Sequence, residues 1–187
     1  MLIGITGTNG AGKGTVVEYL VMKKGFSHFS ARMFLIEEVQ KRGLLQNRES
    51  MRDVANALRK EHEPSYLMER LFEVAKDEPK AVLESVRTIG EAEFLKKNGA
   101  FLFAVDADRK RRYKRITARG SVTDNVTFKE FCDQEDREMA SPDPWDMNVF
   151  GVMQISDARI ENNGSVEKLH QKVDEALALL ATLTRTS

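Results

Sequence analysis

Gly7-Thr8-Asn9-Gly10-Ala11-Gly12-Lys13-Gly14-Thr15 is the stretch whose reading decides the fold. Leu2-Ile3-Gly4-Ile5-Thr6 precedes it as a nearly unbroken apolar run, the pattern of a strand buried on both faces. A helix is expected after it, from about Gly12 to Lys24. Lys23 and Lys24 suit its negative C-terminal end, and Gly25 suits a left-handed cap. A glycine-rich turn between a strand and a helix lets successive backbone N–H groups face inward as an anion nest, and the helix N-terminus adds partial positive charge. Lys13 then stands where an ammonium meets the β- and γ-phosphates of a nucleotide, and Thr15 supplies a hydroxyl toward Mg²⁺. Gly14 holds the place commonly taken by Ser or Thr, with Thr15 one step later.

The rest of the composition narrows the class. The chain has 187 residues, 41% hydrophobic and 31% charged, which is ordinary for one folded domain and excludes wholesale disorder. Lys and Arg total 29, as do Asp and Glu, so no basic excess points to nucleic acid. Cys132 is the only cysteine, which excludes an internal disulfide and a thiolate zinc cluster. His28, His62 and His170 form no metal-ligand spacing. The longest apolar runs are too short for a bilayer, and the start does not read as a signal peptide, so a cytoplasmic protein is expected.

Along the chain, short apolar runs alternate with longer amphipathic ones, the signature of an α/β parallel sheet. Phe26–Phe29 is a short second strand. Ala31–Arg42, Glu49–Glu61 and Ser65–Lys76 read as three successive helices. Ala81–Leu83 is the third strand, Glu91–Lys97 a short helix and Ala100–Val105 the fourth strand. Asp106 or Asp108 caps the basic helix that follows, ending at Gly120. Thr127-Phe128-Lys129-Glu130 matches a capping box, so a helix runs from there to about Met139. A last strand is expected within Val152–Ile160, and a closing helix over Ser165–Leu183.

Gly-x-x-Gly-x-Gly-Lys-Gly-Thr resembles the loop of adenylate kinase and its nucleoside monophosphate kinase relatives. Those kinases follow the third strand with Asp-Gly-x-Pro-Arg; Glu84-Ser85-Val86-Arg87 stands at that place. They also carry two arginines four apart on the helix entering the lid, matched by Arg115 and Arg119. The stretch from Glu84 to Arg119 is also similar to P-loop kinases related to dephospho-CoA kinase. The resemblance implies a three-layer α/β/α P-loop kinase domain with five parallel strands in the order 2-3-1-4-5. Its core would comprise 1–29, 79–119 and 150–187. A helical acceptor-binding insertion would span about 30–78 and a short lid about 120–149. It implies ATP and Mg²⁺, with Gly7 to Thr15 on the phosphates, and Thr15 and Glu84 serving the metal. Lys13, Arg115, Arg119 and Arg87 would be catalytic. Ser30, Arg32 and Arg87 would hold the acceptor phosphate.

Several residues carry a second reading. Residues 109–119 (RKRRYKRITAR) hold seven basic side chains, and residues 130–146 hold seven acidic ones and only Arg137 as a base. Helical spacing puts Arg112, Arg115 and Arg119 on one face, which suits a triphosphate, while Lys110 and Lys114 stay solvated. A nucleic-acid surface is not expected beside so acidic a neighbour; internal charge balance across a lid fits better. Arg42, Arg48, Arg52, Arg59 and Arg70 also lie between the second and third strands, and Arg59 is a further acceptor-binding candidate because it comes late on a helix facing the cleft. Asn162 and Asn163 edge the adenine pocket by resemblance, or form a turn. The expected reaction moves the γ-phosphoryl of Mg·ATP to a nucleoside or deoxynucleoside monophosphate. Dephospho-CoA or another small metabolite as acceptor, or an ATPase switch that drives assembly of a partner, are the alternatives. The oligomeric state is left open.

Overall fold

The computed structural model describes residues 1–121 and 125–183. Five strands build one parallel sheet: β1 (Leu2–Gly7), β2 (Ser27–Ser30), β3 (Ala81–Glu84), β4 (Ala100–Asp106) and β5 (Ala158–Glu161). Their order is β2-β3-β1-β4-β5, with every pairing parallel. The nine helices of the described residues are α1 (Lys13–Lys24), α2 (Ala31–Lys41), α3 (Arg48–Glu61), α4 (Tyr66–Ala75), α5 (Ile89–Lys97), α6 (Arg109–Arg119), α7 (Phe128–Met139), α8 (Val149–Gln154) and α9 (Val166–Leu183).

Side-chain alternation along the central strands feeds two cores. Ile3 and Ile5 of β1 join Phe103 and Val105 of β4 against Val16 and Leu20 of α1 and Val173 and Leu180 of α9. On the opposite face Leu83, Leu102 and Leu95 pack with Met68, Leu71 and Val152. Gly4 is needed there: a Cβ on it would lie 2.6 Å from Leu102 and 2.9 Å from Leu95. A third cluster, Val39, Met51, Val54, Leu58 and Leu67, lies where α2, α3 and α4 meet. Met51, Val54, Ala55 and Leu58 are buried at helical spacing, so α3 shows one apolar stripe inward.

Two local readings change. Val152–Gln154 is not strand: it belongs to α8, whose start is capped by Asn148 accepting from Gly151 N (2.9 Å), and the last strand is confined to Ala158–Glu161. A six-residue helix is too short to show a period of its own. Of the two cap candidates for α6, Asp108 does the capping, by accepting from Arg111 N at 3.1 Å. Asp106 instead accepts from Thr8 Oγ1 at 2.7 Å. Thr127 and Glu130 do form the reciprocal capping box, and Thr88 and Glu91 form a second at the start of α5.

Candidate active site

The loop from Gly7 to Thr15 joins the carboxyl end of β1 to α1, in the middle of the sheet. Parallel α/β sheets place ligands at this edge, because every strand ends there and helices begin there. α1 starts after Gly12, which has φ 99° and supplies no side-chain cap. Its first N–H groups therefore have no side-chain acceptor at the cap.

The glycines are dictated by close backbone approach. A Cβ on Gly7 would stand 1.9 Å from Val105 O, one on Gly10 2.6 Å from Arg112 O, and one on Gly12 2.3 Å from Asn162 Nδ2. Around Gly14 there is open space, so that position is not glycine for steric reasons. The loop is braced from outside. Asn162 Nδ2 donates to Ala11 O (2.8 Å), and Arg115 donates to Asn162 O (2.9 Å) and Ala11 O (3.4 Å). Arg112 donates to Asn9 O at 3.2 Å.

Lys13 is buried and donates to Gly7 O (3.0 Å) and Thr8 O (2.7 Å). Burial holds its ammonium well below the usual lysine pKa, and the charges of Arg87 and Arg48 push the same way; Glu84 and Glu138 oppose them. Arg87 lies across from it and donates to Gly7 O at 2.9 Å. Burial lowers its pKa too, with Glu138 and Glu84 opposing and Arg48 adding. Glu84 ends β3, paired in register with Ser30 of β2. Burial alone would raise its pKa. The hydrogen bond from His28 Nε2 (3.1 Å) and the charges of Lys13 and Arg87 outweigh that and hold it below the ordinary glutamate value. Glu84 is therefore an anion at neutral pH in the field of two cations.

The donor set suits Mg·nucleotide. Gly7, Gly10 and Gly12 leave no room for a Cβ, the loop carries a buried lysine within the field of the Glu84 carboxylate, and Thr15 follows in the first turn of α1. Magnesium typically takes only one or two protein oxygens and completes its shell with phosphates and water. Groups of three or more His, Cys, Asp or Glu that could hold a metal by themselves are absent among the described residues.

A cleft with about 100 Å³ of water-accessible space opens between α3, α7 and the turn after β3. Arg32, Arg48, Arg52, Ser85, Arg87 and Glu138 all line it. Ser30, just before α2, makes no side-chain cap. Ser85 has φ +80°, the left-handed region where the resembled kinases carry glycine. Its N–H and that of Val86 both reach Ile5 O, at 3.0 and 3.1 Å, which fixes the turn that aims Arg87.

Two sequence candidates are held by partners the sequence did not announce. Arg59 lines the cleft, as expected, but its guanidinium is not an open arm over it. Its side chain is 1% exposed, and it pairs with Glu91, itself 0% exposed, at 2.9 Å. A further donor goes to Asn56 Oδ1 at 3.3 Å. Arg112 does not face the mouth of the loop; it is buried in a fork on Glu135 of α7 (2.9 and 2.7 Å) and donates to Ala107 O. Arg109 pairs with Asp136, so α6 and α7 neutralise one another. Arg119 is exposed at the last turn of α6, and the segment 122–124 beyond it lies outside the described residues.

His28 and Glu138 are neighbours to which the sequence assigns no site role; it offers Asp106 only as a helix cap, Asn162 at the adenine pocket or in a turn, and Arg48 only as one of several arginines before the third strand. Strand register brings His28 and Glu84 onto adjacent strands; helix packing brings Arg48 to Glu138, ninety positions apart. Only the acid-rich character of residues 130–146 pointed toward such pairings.

A family profile described as an AAA domain matches residues 6–128. A UPF0200 protein from Methanococcus vannielii is 29% identical over 182 residues, covering 94% of each chain. Another from Methanothermobacter thermautotrophicus is 28% identical, covering 97% of this chain and 91% of that one. Among solved structures, a gluconokinase from Sinorhizobium meliloti superposes with a TM-score of 0.65 at 10% identity, over 98% of this chain and 95% of that one. A shikimate kinase from Bacteroides thetaiotaomicron gives 0.64 at 12% identity, over 97% and 98%. The fold is that of P-loop kinases. No helix among the described residues is long and apolar enough to cross a membrane.

Proposed function

We propose that this chain, which belongs to the AAA-domain family, is a phosphotransferase that moves the γ-phosphoryl of Mg·ATP to a small phosphorylated acceptor, a nucleoside or deoxynucleoside monophosphate first of all. One observation carries the reading: Lys13 and Arg87 converge on the same carbonyl, Gly7 O, at the head of an uncapped helix and a glycine cradle. Phosphoryl transfer asks little covalent chemistry of a protein. Positioning and neutralisation of charge on the moving group account for most of the catalysis.

In this reading Gly7 to Thr15 hold the nucleotide phosphates, and Lys13 meets the β- and γ-oxygens. Thr15 and Glu84 hold magnesium, which when bound neutralises charge between the phosphates. Arg115, braced on Ala11 O and Asn162 O, lies on the donor side, with Arg119 one turn further. Arg87 faces the acceptor side with Arg32 and Ser30 beside the cleft. Arg59 has a different part: it fixes α3 to α5 and leaves phosphate contact to the others. Core, insertion and lid follow the boundaries given from the sequence.

A coupled ADP-release assay over nucleoside and deoxynucleoside monophosphates, dephospho-CoA, gluconate and shikimate tests this. Acceptor-dependent ADP release with a monophosphate is expected. Release with gluconate or shikimate alone would move the chain to the small-metabolite kinases. Release that no acceptor stimulates would favour an ATPase switch. Near-normal turnover in Lys13→Ala would remove the phosphate-loop assignment altogether.

A further inference from the structure

Arg48 is the first residue of α3, where the helix dipole disfavours a cation. It nevertheless turns into the cleft and grips Glu138 of α7 with Nε on one carboxylate oxygen (2.7 Å) and Nη2 on the other (2.6 Å). Glu138 is the anomalous partner. Its side chain is only 9% exposed, and it lines the same cavity as Arg32, Ser85 and Arg87. Its charge is felt by Lys13 and is the leading opposing charge at Arg87. A carboxylate taken from water into such a place loses much hydration, and only the surrounding cations offset it.

The fork that Arg48 offers fits a carboxylate or a phosphate equally well, since both present two oxygens in a plane to two parallel N–H groups. α7 is otherwise attached to α6 through ion pairs and through Phe131, buried against Tyr113, while Met139 at its end packs on Val149 and Met153. Arg52 and Asn56, one and two turns along α3, hold Asp146 on the segment that follows α7. The residues after the lid helix are thus tied to α3 by the Asp146 carboxylate and by the Trp145 carbonyl, which accepts from Arg59 at 3.5 Å, at the wall of the cleft.

We propose that Arg48, facing Arg87 across the cleft, forms a subsite for an oxyanion carried by the acceptor, and that Glu138 is an internal carboxylate competing for the same guanidinium. The inference rests on the reading of this cleft as the acceptor site, and it adds the residue that grips the acceptor's anion, a phosphate or a carboxylate, and the internal carboxylate that the anion displaces. Exchange of Glu138 for the ligand's anion keeps Arg48 paired while freeing α7 from α3. Acceptor binding and movement of α7 are then one equilibrium. The measured affinity falls short of the intrinsic one by the fraction of molecules in which Glu138 has let go.

The test uses the full chain with its phosphate loop saturated by Mg·ADP, titrated with inorganic phosphate and, separately, with acetate. Binding is read by calorimetry and by Trp145, the sole tryptophan, which lies on the segment after α7 with its carbonyl near Arg59. Glu138→Gln, close in size to the native side chain, is expected to bind the anion about 10–100-fold more tightly than wild type, the range for loss of a competing charged hydrogen bond. Arg48→Ala should lose the site, and Arg48→Lys should fall between because it lacks the fork. A response to phosphate but not acetate assigns a phosphate-bearing acceptor; the reverse assigns a carboxylate. The proposal is overturned if Glu138→Gln binds neither anion better than wild type, or if Arg48→Ala binds both as well. ADP affinity is measured in each protein: failure of wild type to bind ADP refutes the kinase reading and this subsite with it. Normal ADP binding without the variant pattern refutes the subsite alone.

Discussion

Replacing Arg59 by Ala tests whether that residue is scaffold or ligand. The guanidinium and the Glu91 carboxylate are 1% and 0% exposed. Arg59 supplies both contacts to Glu91 Oε1, at 2.9 Å each. Glu91 Oε2 is occupied separately, by Arg87 N at 2.7 Å and Thr88 N at 3.2 Å. Truncation would leave Oε1 charged, without water and without its donors. Breaking one side of a buried pair costs about 3–5 kcal/mol, since the survivor keeps its desolvation penalty. For a chain of this size that lowers Tm by roughly 6–20 °C. The double variant Arg59→Met with Glu91→Gln removes both charges, and the glutamine oxygen can still accept from Arg87 N and Thr88 N. It should destabilise less than Arg59→Ala, because the glutamine amide left without a partner is neutral whereas the glutamate left behind is a buried unpaired charge. Urea unfolding followed by far-ultraviolet circular dichroism gives all the free energies, and with the single variants Arg59→Met and Glu91→Gln the cycle isolates the coupling. A loss below about 1 kcal/mol in Arg59→Ala, together with a raised acceptor KM, would refute the scaffold assignment and restore Arg59 to the acceptor site.

Two further outcomes follow from the site. Bound phosphates favour the Lys13 ammonium and raise a pKa that burial holds well below 10.5, so ADP binding at alkaline pH should take up protons. Calorimetry in buffers of different ionisation enthalpy reads the uptake. Lys13→Ala should lack that contribution, and proton release by wild type would contradict the assignment. The sign for stability is the matching one: the unfolded chain binds the Lys13 proton more tightly, so the ligand-free fold gains from this group as pH rises between its folded and unfolded pKa values. At Ser85, φ +80° costs a side-chain-bearing residue about 1–2 kcal/mol, against roughly 0.5–1 for the added freedom of glycine in the unfolded chain. Ser85→Gly should therefore stabilise by up to about 1.5 kcal/mol in urea unfolding; destabilisation would mean the turn is not strained.

The sequence by itself determined the phosphate loop, because its chemistry is local. A nest needs glycines at set intervals between one strand and one helix, and all of that lies within fifteen residues. Strand order and the parallel sheet were also legible, since doubly buried strands read as short apolar runs and the loop's resemblance supplied the order. Helix limits were legible where caps mark them, as at Thr127 and Gly25, and not at α8, which is too short for periodicity. Tertiary structure alone decided which partner each arginine holds. Composition and spacing announced none of those partners. Those partners lie 23 to 104 positions away: Glu91 for Arg59, Glu135 for Arg112, Ala11 O for Arg115, Gly7 O for Arg87 and Glu138 for Arg48. A charge has no periodicity that announces its counter-charge. Which guanidinium is closed in a core and which faces a cleft is set by how α3, α6 and α7 pack across the sheet's edge. Burial then sets the energy of each pair, and burial is a property of the assembled fold.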